Sequence, residues 1–157
     1  MEPPQPPSKS KRKAEPSLSA RALRLLARRE YTRPELERKL APYVDRPAEL
    51  QTLLDELAGR GWLSETRAVE QLVHAKRARF GSARIRRSLI EKGVSVELIA
   101  STLHGLRDTE LAAARAVWAR KFKTLPDTPA ARARQVRFLQ YRGFSVGIAM
   151  RVVGKLS

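Results

Sequence analysis

No cysteine occurs among the 157 residues, so disulfides and thiolate metal sites are excluded, and a reducing compartment is compatible with the chain. Histidine is almost as scarce. His74 and His104 stand thirty residues apart on different expected helices, in no metal-ligand spacing, and read as helix-surface or helix-end residues. No apolar run approaches the ~20 residues of a membrane span, and the N-terminus lacks the apolar segment of a secretory signal, so a cytoplasmic protein without membrane contact is expected. A Walker A loop is missing: Gly154 and Lys155 are followed by Leu156, with no glycine at the required spacing upstream. Asp55 and Glu56 are adjacent on an expected helix and point apart, which suits a solvated face better than an acid/base pair. These absences argue against an enzyme and against a bound cofactor or metal.

Acidic residues are also in short supply. Thirty-two Lys and Arg face sixteen Asp and Glu, giving a formal net charge of +16, and the excess is unevenly placed. Residues 1–17 carry +2, 18–70 carry +1, 71–96 carry +6, 97–110 carry −2 and 111–157 carry +9. So lopsided a charge repels itself in a compact state, and it suits a polyanionic or acidic partner.

The opening "MEPPQPPSKSKRKAEPS" is rich in proline and almost devoid of apolar residues, so residues 1–17 are expected to form a disordered basic tail. Its Lys9, Lys11, Arg12 and Lys13 could serve as an auxiliary arm. From Leu18 onward the apolar residues recur at helical spacing and no segment alternates like a strand, so the chain reads as all-α. Start signals divide it. They are Ser17 or Ser19, Thr32 with Glu35 as a capping box, Asp45 ahead of Pro47, Ser64, Ser82, Ser95, Asp108, Thr128 ahead of Pro129, and Ser145. The resulting helices span 18–29, 33–42, 47–60, 64–79, 82–92, 95–105, 108–122, 128–142 and 145–154.

One phrase is written twice. "LIEKGVSVELI" at 89–99 returns as "LQYRGFSVGIA" at 139–149, a period of about fifty residues that suggests units of three helices. In the first copy Gly93 ends a helix at a position suited to positive φ, Val94 supplies the apolar contact that follows, and Ser95 caps the next helix. Gly143, Phe144 and Ser145 repeat those roles. The first unit departs, because "APYVDRP" replaces the tight glycine turn and its third helix closes at Gly61. The expected order is therefore the tail, then three-helix units at 18–63, 64–106 and 107–157.

Basic residues keep step with the repeat. Arg84 and Arg87 lie at i and i+3 on the back of a helix whose core side holds Ile85 and Leu89, and Arg134 and Arg137 occupy the same places fifty residues later. Lys92 is matched by Arg142, each just before its glycine. These six form the expected nucleic-acid or filament-binding track, in which the arginine fork suits bidentate phosphate recognition. The aromatics Trp62, Phe80, Trp118, Phe122, Phe138 and Phe144 fall at helix ends or at core spacing and are expected to pack inside.

"LRLLARREYTRPELERKL", "LLDELAGRGWLSETRAVEQLV", "FGSARIRRSLIEKGVSVELI" and "RQVRFLQYRGFSVGIAMRVV" resemble the bacterial RecX family of regulatory proteins over about residues 18–154. The most specific parts are Arg28, Arg29 and Glu30 with Glu35, Leu36, Lys39 and Leu40; Leu57 to Leu63 leading to Ala68; and Arg142 to Phe144. The chain departs in its "SET" at Ser64–Thr66, where the family commonly has an Asp, and in a longer Pro-rich tail. The resemblance implies an elongated all-helical array of three tandem three-helix repeats. It further implies a non-enzymatic regulator in DNA repair, recombination and the SOS response, and a monomer is expected. Such proteins bind the RecA recombinase on single- or double-stranded DNA and limit filament growth, ATP turnover, strand exchange and coprotease activity. The competing reading is a free-standing helix-turn-helix DNA-binding protein or transcription factor, since three-helix units with a glycine turn also suit groove reading.

Overall fold

Nine α-helices and two short 3-10 turns form the regular structure of the computed structural model, which describes residues 2–4 and 15–154. They are α1 (Leu18–Arg28), α2 (Arg33–Leu40), α3 (Pro47–Gly59), α4 (Glu65–Arg77), α5 (Ser82–Glu91), α6 (Val96–Leu106), α7 (Glu110–Lys121), α8 (Pro129–Tyr141) and α9 (Val146–Val153). No strand occurs among the described residues. The expected disordered tail lies for the most part outside them, as do Lys9, Lys11, Arg12 and Lys13.

The start signals work largely as their chemistry demands. The hydroxyls of Ser17, Thr32, Ser64, Ser95, Thr128 and Ser145 each accept a backbone N–H in the first turn, and Glu35 returns the bond to the Thr32 N–H. Three expectations fail. Arg46, not Asp45, caps α3, and it does so without a side-chain bond; Pro47 fixes φ at the first helical position instead. Asp108 does not cap α7, because the 3-10 turn Arg107–Thr109 carries helical backbone straight in from α6. Ser82 is not a cap either: Gly81 holds that position, and the N–H groups of Gly81, Ser82 and Ala83 are satisfied from the third unit.

Three separate cores follow the repeat. Ala22, Leu36, Leu40, Leu54 and Leu57 anchor the first, Ile85 and Leu89 the second, and Ala114, Leu139, Phe144 and Ala149 the third. Each fully buried leucine contributes roughly 1.5–3 kcal/mol, and cores this small lean on their neighbours. Hydrogen bonds join the first unit to the second and the second to the third, and none among the described residues joins the first to the third. The units therefore form an elongated array.

Both junctions use one device, in which the C-terminal end of a second helix docks on the N-terminal turn of the preceding unit's second helix. At the first, the Thr32 hydroxyl donates to the Lys92 carbonyl and Arg38 donates to the Glu91 carbonyl at 3.1 Å. At the second, the Gly81 and Ala83 N–H groups donate to the carbonyls of Arg142 (2.8 Å) and Gly143 (3.1 Å). Each helix end thereby satisfies the orphan groups of another, and opposite dipole ends meet. A third early donor of α5, Ser82 N–H, binds the buried Glu110 carboxylate at 2.9 Å, and Glu110 also pairs with Arg77 at 2.6 Å. The α5 terminus thus receives its carboxylate from the third unit, whereas α2 carries its own in Glu35.

Glycine is required where these ends touch. Gly93 and Gly143 have φ of 72° and 98°, as the repeat predicted. A Cβ on Gly93 would stand 2.7 Å from Pro34, and one on Gly81 would stand 2.5 Å from the Gly143 carbonyl oxygen.

Candidate nucleic-acid interface

The six expected track residues divide into two groups. Arg87 on α5 and Arg134 and Arg137 on α8 are exposed, and none of them forms an ion pair among the described residues. The other three serve the junctions. Lys92 caps α5 and reaches back 2.9 Å to Glu35 of the first unit, so its charge is neutralised locally. Arg142, its repeat equivalent, caps α8 and reaches back toward the second unit, with its guanidinium 5.7 Å from the Phe80 ring centre and 5.2 Å from that of Phe138. Arg84 is half-buried rather than fully outward, pressed against Gly143 with its guanidinium 5.0 Å from Phe80 and 5.2 Å from Tyr141.

Phe80 is the centre of a cationic cluster. Besides Arg84 and Arg142, the Lys76 ammonium lies 5.3 Å and the Arg79 guanidinium 5.5 Å from its ring, distances at which the ring face attracts positive charge. Next to it a cleft of about 230 Å³ is lined by Arg79, Arg120, Lys121 and Arg142 over Val117 and Phe138, with no carboxylate in its walls. Glu110, the acid of this junction, is occupied by Arg77 and Ser82. Tyr141, 72% exposed, stands at the edge beside Arg84. Concentrated positive charge with aromatic surface is the combination that holds a phosphodiester backbone and stacks bases.

Sequence reasoning missed Lys76, Arg79, Arg120, Lys121 and Tyr141. Confining attention to the second helix of each unit hid them, although the charge count for 71–96 already included Lys76 and Arg79. The expectation of buried aromatics holds for Phe144, and Trp118 and Phe138 pack partly buried against the third core, with Phe122 tilted against Trp118 and edge-on to Phe138. It fails for Trp62, which is 46% exposed beneath Arg60, and for Phe80, which lies among cations. His74 and His104 are exposed in the last turns of α4 and α6, as expected. Among the described residues no cluster of His, Asp and Glu could hold a metal ion, and no helix is long and apolar enough to cross a membrane.

Glu35 explains why the first unit contributes little to this surface from its own junction. Burial alone would push its carboxyl up, but hydrogen bonds from Arg29, Lys92 and the Thr32 N–H outweigh burial and hold it down at about 2. The acid is thus permanently charged at neutral pH, and it consumes two cations.

Known proteins share both the sequence and the arrangement. The description of the second three-helix domain of RecX matches residues 64–103, and that of the third three-helix domain matches residues 108–153. Regulatory protein RecX of Leptothrix cholodnii is 47% identical over 137 residues, which cover 87% of this chain and 87% of the relative. The protein of the same name from Chromobacterium violaceum is 45% identical, over 87% of this chain and 89% of its own. The crystal structure of RecX from Lactobacillus salivarius superposes with a TM-score of 0.74 at 17% identity, over 87% of this chain and 92% of the other, which speaks for the fold.

Proposed function

Because this chain belongs to the RecX family of regulatory proteins, we propose that it is a non-enzymatic cytoplasmic regulator that binds the RecA–DNA filament as a monomer. In this reading it inhibits filament growth, ATP hydrolysis, strand exchange and coprotease activity, and so acts in DNA repair, recombination and the SOS response. The observation that carries the reading is the set of repeat-related cations of units two and three, Arg87, Arg134 and Arg137, which stand exposed and without ion pairs among the described residues. The same two units form the carboxylate-free cleft of Arg79, Arg120, Lys121 and Arg142. A filament exposes DNA phosphates in a regular row, and an elongated array with cations in register can meet several at once.

The test is the triple variant Arg87→Glu, Arg134→Glu, Arg137→Glu in a RecA strand-exchange assay at two salt concentrations. Folding should survive, since exposed changes usually alter stability by under ~0.5 kcal/mol each. Inhibition should weaken sharply, and the salt slope of binding should fall by about 0.7–0.9 for each phosphate that is no longer neutralised. A folded triple variant that inhibits at parental concentrations with parental salt dependence would place the interface elsewhere. Equal affinity of the parent for single-stranded DNA with and without RecA and ATP would favour the free-standing DNA-binding reading instead.

A further inference from the structure

The first unit is nearly neutral by count, yet its charges are sorted in space. Glu35 pairs with Arg29 and Lys92, Asp55 with Arg33, Glu56 with Arg60 and Glu30 with Arg67. Glu37 accepts from Gln51. Six of its cations form no ion pair among the described residues, and four of the six, Arg21, Arg24, Arg28 and Lys39, border one cleft of about 250 Å³, while Arg38 and Arg46 lie outside it. No carboxylate lines it.

The cleft has an ordered geometry. Arg21, Arg24 and Arg28 fall at i, i+3 and i+7 on α1, so they form a single stripe about 10 Å long at 1.5 Å of rise per residue. Lys39 faces them from α2, and Leu25 and Leu40 form an apolar floor. Tyr43, in the 3-10 turn that replaces the glycine turn of the other units, closes one end. The Arg21 guanidinium lies 3.8 Å from its ring centre, yet Tyr43 is 57% exposed, so the ring is fixed on one side and open on the other.

We infer that this cleft is a second nucleic-acid site, in which the α1 stripe and Lys39 hold the phosphodiester backbone of a single strand while Tyr43 stacks on one of its bases. A row of cations beside an open aromatic face suits a strand whose bases are unpaired, because base stacking is indifferent to sequence and the cations follow the backbone. An acidic protein surface would also use the cations but would gain little from the open ring. The site is separate from the Arg87, Arg134 and Arg137 face and needs no recombinase.

The experiment measures binding of a labelled oligothymidine strand, and of an abasic phosphodiester strand of the same length, to the full chain without RecA. Tyr43→Ala should weaken oligothymidine binding about ten-fold. It should leave abasic binding unchanged, and Tyr43→Phe should bind like the parent. Arg24→Glu with Arg28→Glu should weaken both ligands and lower the salt slope by about 1.4, the value for two phosphates on a single strand. The same pair placed in the Arg87, Arg134 and Arg137 triple variant should remove the binding that the triple variant retains. Circular dichroism of each variant separates a binding defect from a folding defect. Unchanged oligothymidine affinity in folded Tyr43→Ala and in the folded arginine pair would overturn the inference. So would a polyglutamate peptide that displaces the strand from the parent as effectively as unlabelled oligothymidine. The strand-exchange assay of the triple variant reads the RecA proposal independently, so one can fail without the other.

Discussion

Gly143→Val should lower stability by roughly 2–4 kcal/mol and uncouple the third unit from the second. Two costs combine. The φ of 98° lies in the left-handed region, where a β-branched residue is strained by about 1 kcal/mol or more. In addition, a Cβ there would stand 2.5 Å from Arg84 Cγ and 2.8 Å from the Arg84 backbone nitrogen, and overpacking of this kind costs about 1–3 kcal/mol. Rotating the arginine side chain relieves the first clash but not the second. The N-terminal turn of α5 must therefore move away, which breaks the Gly81 and Ala83 bonds to the α8 carbonyls. Urea unfolding should show the loss, and amide exchange at Gly81 and Ala83 should accelerate beyond that of the third core. Gly61→Val is the control, because its φ of 75° carries the strain while a Cβ there would meet nothing within 4 Å. Equal losses in the two variants would mean that the junction contributes nothing.

Glu35→Gln should cost roughly 2–3 kcal/mol at neutral pH and flatten the acid side of the stability profile. The carboxyl lies near 2 in the folded protein against an ordinary value of 4.5, a depressed acid whose contribution is complete above the unfolded value. That contribution fades as pH falls from about 5 toward 2, so parent and variant should converge there. Glutamine can keep the capping bond to the Thr32 N–H, so the difference reports the charge. Its partner Arg29 behaves reciprocally: burial would pull its guanidinium down, but the hydrogen bond and the charge of Glu35 outweigh burial and raise it. The loss should be felt at the first junction, since Arg29 and Lys92 are left facing each other across an uncharged amide. Thermal melts from pH 7 to pH 2 provide the measurement, and parallel curves at all pH values would contradict it.

The order of helices, most of their caps and the positive φ of the repeated turn's glycines, Gly93 and Gly143, were determined by the sequence alone, because each depends on neighbours within a few residues. Thr32 with Glu35, Ser95 after Gly93 and Ser145 after Gly143 are local contracts, and the fifty-residue phrase repeats them. Tertiary structure decided whatever reaches across units. Ser82 is no cap, since α8 carbonyls and Glu110 arrive from far along the chain, and Gly81 matters through close approach at an ordinary φ of −81°. Lys92 and Arg137 are both cations at repeat positions, yet Lys92 is neutralised by an acid 57 residues away while Arg137 stays exposed. Net charge hid the first unit's cleft for the same reason: a sum over 18–70 counts acids and bases equally, whereas a field depends on which of them pair, and pairing is a property of three-dimensional distance.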